Sequence, residues 1–98
     1  MSDVAFLERL QTVIRQRIAT APPSSYTAKL AAQGVLKVAQ KVGEEGVELA
    51  LAAAVQDKVH VTAEAADLLY HLLLLLELRQ LSLHDVVDEL ERRHRDPA

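Results

Sequence analysis

No cysteine occurs in this 98-residue chain, which excludes a disulfide framework and every thiolate site, catalytic or metal-bound. Tryptophan is also missing, and one Phe and two Tyr are the whole aromatic complement. The core must therefore be built from Leu, Val, Ala and Ile, a composition of packed helices and not of an aromatic-rich sandwich or barrel. Neither sign of charge dominates. The formal net charge is −3, which lends no support to non-specific binding of a polyanion, and no basic recognition helix stands out. The longest unbroken apolar run, Leu49 to Val55, is far too short to cross a bilayer. The opening "MSDVAFLERL" lacks the basic start and apolar stretch of a signal peptide. These absences predict a soluble, cytoplasmic protein with no nucleic-acid or membrane partner. The length predicts a single domain over residues 1–98.

What is present is helical periodicity. Val4, Leu7, Leu10, Ile14 and Ile18 recur at steps of three and four, predicting a helix from about Asp3, its N-cap, to Thr20. The "APPSS" stretch ends it, because proline cannot continue a helix. "SYTAKLAAQG" predicts a short helix capped near Ser25 or Thr27 that stops or kinks at Gly34. A long helix follows over about Val35 to Val55, and Asp57 caps another that reaches about Leu78. The last starts at Ser82, where "SLHD" resembles a capping box with Asp85 in place of the usual Glu, and runs to about Arg93 before a frayed "RDPA" tail. The fold class is all-α, a bundle of four to five helices. In "DLLYHLLLLLEL" apolar residues surround the helix, so it must be buried all round. So few helices cannot enclose it, which predicts completion by a second copy in a homodimer or higher homo-oligomer.

The most informative stretch is "KVGEEGVELALAA", Lys41 to Ala53. Glu45 and Glu48 are three apart and share a helix face, flanked by Glu44. Glu64 and Asp67 repeat the spacing on the next long helix. If these helices form an antiparallel hairpin, four carboxylates can face one another and need neutralising. A hard divalent cation does this, and an oxygen-only ligand set suits Mg²⁺, or Mn²⁺ as a substitute, better than Zn²⁺. Such an ion can polarise a phosphoryl oxygen or activate water. The competing interpretation is that these glutamates simply form solvated faces. Gly43 and Gly46 each cost a helix about 1 kcal/mol against alanine. They share a face where a neighbouring backbone or a ligand can come close. Lys41 and Lys37 lie one and two turns before Glu45. They either meet phosphate oxygens or form i,i+4 ion pairs such as Lys41 with Glu45. His71, four residues after Asp67, is a candidate ligand or base, though a histidine hydrogen-bonded within the bundle or at an interface is the commoner case. His60, His84 and His94 carry no supporting pattern. No histidine–acid relay to a serine and no Gly-rich P-loop is evident.

"SYTAKLAAQG", "KVGEEGVELALAA" and "EAADLLYHLLLLL" together resemble the signature blocks of the phosphoribosyl-ATP pyrophosphatases, the second enzymes of histidine biosynthesis. The likeness spans about Ser25 to Asp85, in order and with short spacers. The wider all-α nucleoside triphosphate pyrophosphohydrolases share an E-x-x-E … E-x-x-D pattern, matched by Glu45, Glu48, Glu64 and Asp67. The resemblance implies Mg²⁺-dependent cleavage between the α- and β-phosphates of 1-(5-phosphoribosyl)-ATP, releasing pyrophosphate and phosphoribosyl-AMP. It implies Glu45, Glu48, Glu64 and Asp67 as metal ligands, with Glu44 and Glu45 catalytic. Ser25, Tyr26 and Thr27, with Lys37 and Lys41, are implied as substrate contacts. Gly46 departs from the pattern, where alanine is the commoner residue. Many relatives carry a fused cyclohydrolase domain, and this chain is too short for one, so that activity is expected in a separate protein. Two other functions compete: a housekeeping pyrophosphohydrolase acting on free nucleoside triphosphates, against which the "SYT" block argues, and a non-catalytic helical dimerisation module.

Overall fold

The structure, a computed structural model, describes residues 2–95. The expected frayed tail lies, from residue 96 onward, outside the described residues. The described chain is five helices without a strand: α1 (Phe6–Thr20), α2 (Tyr26–Ala32), α3 (Val35–Val55), α4 (Lys58–Leu78) and α5 (Leu83–His94).

Local chemistry sets most of these boundaries. The Ser25 hydroxyl accepts the Ala28 N–H at 3.1 Å and caps α2, so of the two candidate caps Ser25 is used and Thr27 is not. Asp57 caps α4 through the His60 N–H at 3.0 Å. Ser82 and Asp85 form the reciprocal capping box of α5. Gly34, at a φ of 96° that L side chains rarely adopt, separates α2 from α3. One boundary differs from the sequence expectation. α1 begins at Phe6, because Asp3 Oδ1 accepts the Ala5 N–H and closes a separate turn first. Val4 therefore precedes the helix and stays 80% exposed.

α3 and α4, 21 residues each, pair as the long antiparallel hairpin, each about 31 Å in length. α1 packs on α4 and on α2, and α2 bridges to α3 and α4. The core lies at the end of the hairpin away from its turn, where Ile14, Leu30, Val38, Leu73 and Leu74 interlock. The turn end has only Ala52 buried. The radius of gyration is 14.9 Å, against about 13 Å for a compact chain of this length.

This geometry corrects the expectation about the leucine run. Leu73 and Leu74 are fully buried within the chain, and Leu72, Leu75 and Leu76 are partly buried, because α1 and α2 cover that end of α4. The open apolar surface lies elsewhere, at Leu36, Val47, Leu51 and Val55 on α3 and at Val59 on α4. Taken as a whole helix, α4 is long and apolar enough to cross a membrane. The test by unbroken runs misses this because Glu64, Asp67 and His71 interrupt the sequence. Glu64 and His71 both turn toward α3, as in a helix packed within a bundle.

Candidate active site

An antiparallel hairpin brings residues about equidistant from its turn side by side. Glu48 on α3 thus meets Glu64 on α4, and Glu45 reaches His71, which lies about one helical turn beyond the equidistant position. The sequence pattern had placed Glu45, Glu48, Glu64 and Asp67 on facing helices, and the structure gathers them at mid-hairpin. Burial grades them. Glu45 is buried at 6% exposure, Glu64 is half-buried, and Glu48, Asp67 and the flanking Glu44 are exposed.

Glu64 shows the strain of this crowding. Its carboxyl pKa is raised above the ordinary glutamate value, first by burial, then by the neighbouring Glu48 carboxylate and by the charges of Asp67 and Glu45. Two buried carboxylate oxygens, Glu45 Oε1 and Glu64 Oε2, have no hydrogen-bond partner. Glu45 Oε1 lies against His71 Nδ1 but off the N–H direction, which points at the Asp67 carbonyl oxygen, 2.9 Å away. Unsatisfied buried carboxylate oxygens are costly and call for a counter-charge. Among the described residues no three His, Asp or Glu side chains are grouped closely enough to form a ready ligand set. The donor chemistry, all oxygen and anionic, with orphaned oxygens on both helices, fits a hard divalent cation.

A carboxyl with a raised pKa binds its proton more tightly in the folded state. Its contribution to stability is complete below the unfolded value and is lost as pH rises through the folded one. With a chelator present, Glu64→Gln is expected to melt above wild type at neutral pH. The gap should close as pH falls below the ordinary glutamate range. Identical melting curves across that range would contradict the crowding.

The remaining candidates are placed as follows. Tyr26, the first residue of α2, has a half-exposed ring whose hydroxyl donates to His71 Nε2 at 2.9 Å. Thr27 is buried with its hydroxyl on that of Tyr70. Ser25 is half-buried and occupied with its cap. Lys37 is exposed and Lys41 half-buried. The ion pair of Lys41 with Glu45 does not form, since Glu45 turns to His71, and among the described residues neither lysine enters an ion pair. Glu44 accepts from Gln40 Nε2 at 3.3 Å. A Cβ added at Gly43 or Gly46 would meet nothing within 4 Å. Close packing within one chain does not explain these glycines, and approach by a ligand or a second chain remains. Tyr70 was not legible as a functional residue. Its only signal was adjacency to His71 in "DLLYHLL".

A family model described as PRA-PH, phosphoribosyl-ATP pyrophosphohydrolase, matches residues 7–94. Among curated proteins, the histidine biosynthesis bifunctional protein HisIE of Salmonella typhi is 54% identical over 89 residues, covering 91% of this chain and 44% of the relative. The protein of the same name from Pasteurella multocida is 53% identical over 92 residues, 94% of this chain and 46% of the relative. That from Vibrio vulnificus is 48% identical over 94 residues, 96% and 44% respectively. The chain thus spans less than half the length of these relatives.

Proposed function

Because this chain belongs to the phosphoribosyl-ATP pyrophosphohydrolase family, we propose that it hydrolyses 1-(5-phosphoribosyl)-ATP to 1-(5-phosphoribosyl)-AMP and pyrophosphate, the second step of histidine biosynthesis, in the cytoplasm. The observation that carries this reading is the pair of buried carboxylate oxygens without hydrogen-bond partners, one on α3 and one on α4, on the residues that match the family pattern.

In this proposal Glu45, Glu48, Glu64 and Asp67 hold Mg²⁺, or Mn²⁺ in its place. The ion, when bound, neutralises phosphate charge and acidifies water. Glu45, already buried and oriented, fixes one side of the site. One of the two neighbouring carboxylates, Glu44 or Glu45, would accept the proton of the attacking water. Lys37 and Lys41, on nearly the same stripe of α3 and in no ion pair among the described residues, receive phosphate oxygens. The Ser25–Thr27 block borders the site from α2, with Tyr26 offering a ring face and a hydroxyl to the substrate. Incubation with phosphoribosyl-ATP and Mg²⁺ is expected to release pyrophosphate and not successive orthophosphates. Orthophosphate as the first product, or no turnover with either metal, contradicts the proposal. Free ATP or dNTPs turned over in preference to phosphoribosyl-ATP would instead favour the housekeeping function.

The same proposal makes the working unit a homodimer or larger homo-oligomer. Its support is the bare turn half of the hairpin, with Leu51 62% exposed and Val55 81% exposed, and the small buried core. Sedimentation at micromolar concentration is expected to show at least twice the monomer mass. Leu51→Lys, a change at an open position, should shift the population toward monomer. A stable, well-folded wild-type monomer excludes this arrangement.

A further inference from the structure

His71 is buried, at 6% exposure, and the proposed chemistry gives it no task. Yet its two ring nitrogens meet the two halves of the site. On one side Nδ1–H donates to the Asp67 carbonyl oxygen at 2.9 Å and lies against Glu45 Oε1. With the proton on Nδ1, the other nitrogen presents a lone pair, and the Tyr26 hydroxyl donates to Nε2 at 2.9 Å. Tyr26 comes from α2, 45 residues away in sequence.

The contact is not isolated. Consecutive residues of α2, Tyr26 and Thr27, meet consecutive residues of α4, His71 and Tyr70, hydroxyl to ring nitrogen and hydroxyl to hydroxyl. The three rings pack around one another. Tyr70 and His71 lie edge-to-face at 5.0 Å, Tyr26 and His71 edge-to-face at 6.0 Å, and the two tyrosines at 6.3 Å. A planar ring pinned at Nδ1 by a helix carbonyl cannot adjust at one nitrogen without moving the other.

We infer that His71 is a positioning residue that couples the carboxylate cluster to the substrate-facing Tyr26, bearing on Glu45 through Nδ1 and setting the Tyr26 hydroxyl through Nε2. The inference rests on the proposed function, since it takes Glu45 as a cation ligand and Tyr26 as a substrate contact. Drawing Glu45 toward a cation changes what presses on Nδ1, and the displacement reaches Tyr26 through the ring. The residues "SYT" and "YH" are thereby one device. One clamps the substrate side and the other reports the state of the metal side.

The protein carries its own probe. Tyr26 and Tyr70 are the only tyrosines, and there is no tryptophan, so tyrosine emission arises entirely from this cluster. Titrating wild type with MgCl₂ alone, with calorimetry in parallel, is expected to change tyrosine emission along the binding curve. His71→Asn keeps an amide donor near Nδ1 but cannot reach Tyr26. It should bind Mg²⁺ within about threefold of wild type, lose the emission response, and raise KM about tenfold while kcat changes less than about threefold. His71→Gln, whose longer amide reaches toward the Nε2 position, should recover part of the KM loss. Tyr26→Phe should raise KM similarly, and the double variant His71→Asn/Tyr26→Phe should be no worse than either single change. A merely structural histidine would instead lower melting temperature and weaken both replacements alike.

An unaltered emission response in His71→Asn overturns the coupling, as do additive KM effects in the double variant. If His71→Asn does not fold, His71→Gln takes its place, with partial loss of the emission response expected, and an emission response to Mg²⁺ equal to wild type in that variant overturns the coupling. A wild type that neither binds Mg²⁺ nor releases pyrophosphate overturns the proposed function and this inference with it. A wild type that does both, with His71 variants that behave like it, overturns the inference alone.

Discussion

Glu48→Gln is expected to lower kcat/KM by about 100- to 1000-fold, the loss typical when one preorganised electrostatic group is removed from a charged transition state. The substitution nearly preserves shape, and Glu48 is exposed on α3, so packing should not change. What changes is charge. Glu48 stands beside Glu64 and helps to raise its pKa, so without metal the variant should melt at or above the wild-type temperature. With Mg²⁺ added, wild type should gain stability through binding to the folded state, and the variant should gain less. Glu91→Gln on α5, away from the carboxylates, should alter neither property. Measurement of turnover, and of melting with and without Mg²⁺, for both variants checks the whole argument. Wild-type turnover and an unchanged Mg²⁺ response in Glu48→Gln would remove Glu48 from the ligand set. The four-carboxylate site would then lose a central member.

Leu74→Ala is expected to destabilise the protein by about 2–5 kcal/mol, the range for truncating a buried leucine, with the higher values where the site cannot collapse. Leu74 has no exposed surface and belongs to the cluster in which α1, α2, α3 and α4 all meet. For a domain of this size each kcal/mol lowers the melting temperature by about 4–8 °C, so the drop should be unmistakable in a thermal scan. Val4→Ala, at an exposed position before α1, should leave the melting temperature nearly unchanged. Similar melting of both variants would mean that the core does not lie at this end of the hairpin.

The helices and the four carboxylates were legible because their determinants are local. Ser25, Asp57 and Ser82 accept backbone N–H groups three residues ahead, and such caps depend on neighbours in sequence alone. The spacing of Glu45 with Glu48 and of Glu64 with Asp67 places each pair on one helix face whatever the helix packs against. The start of α1 was misplaced for an equally local reason, since Asp3 is a good cap for a turn as well as for a helix.

What the chain could not reveal by itself was the rotation of one helix against another. Whether Glu45 would meet Lys41 along its own helix or His71 across the hairpin depends on which face of α3 lies against α4. That face is set by the burial of Val38, Leu73 and Leu74 with Ile14 and Leu30, a consensus of residues far apart in sequence. The same packing covers the leucine run of α4 and leaves Leu51 and Val55 bare. Identity and spacing therefore determined which charges exist and which helix faces carry them. The tertiary structure decided their partners, because a side chain's neighbours follow from minimising exposed apolar area and buried unpaired polar groups over the whole chain, which no local window of sequence contains.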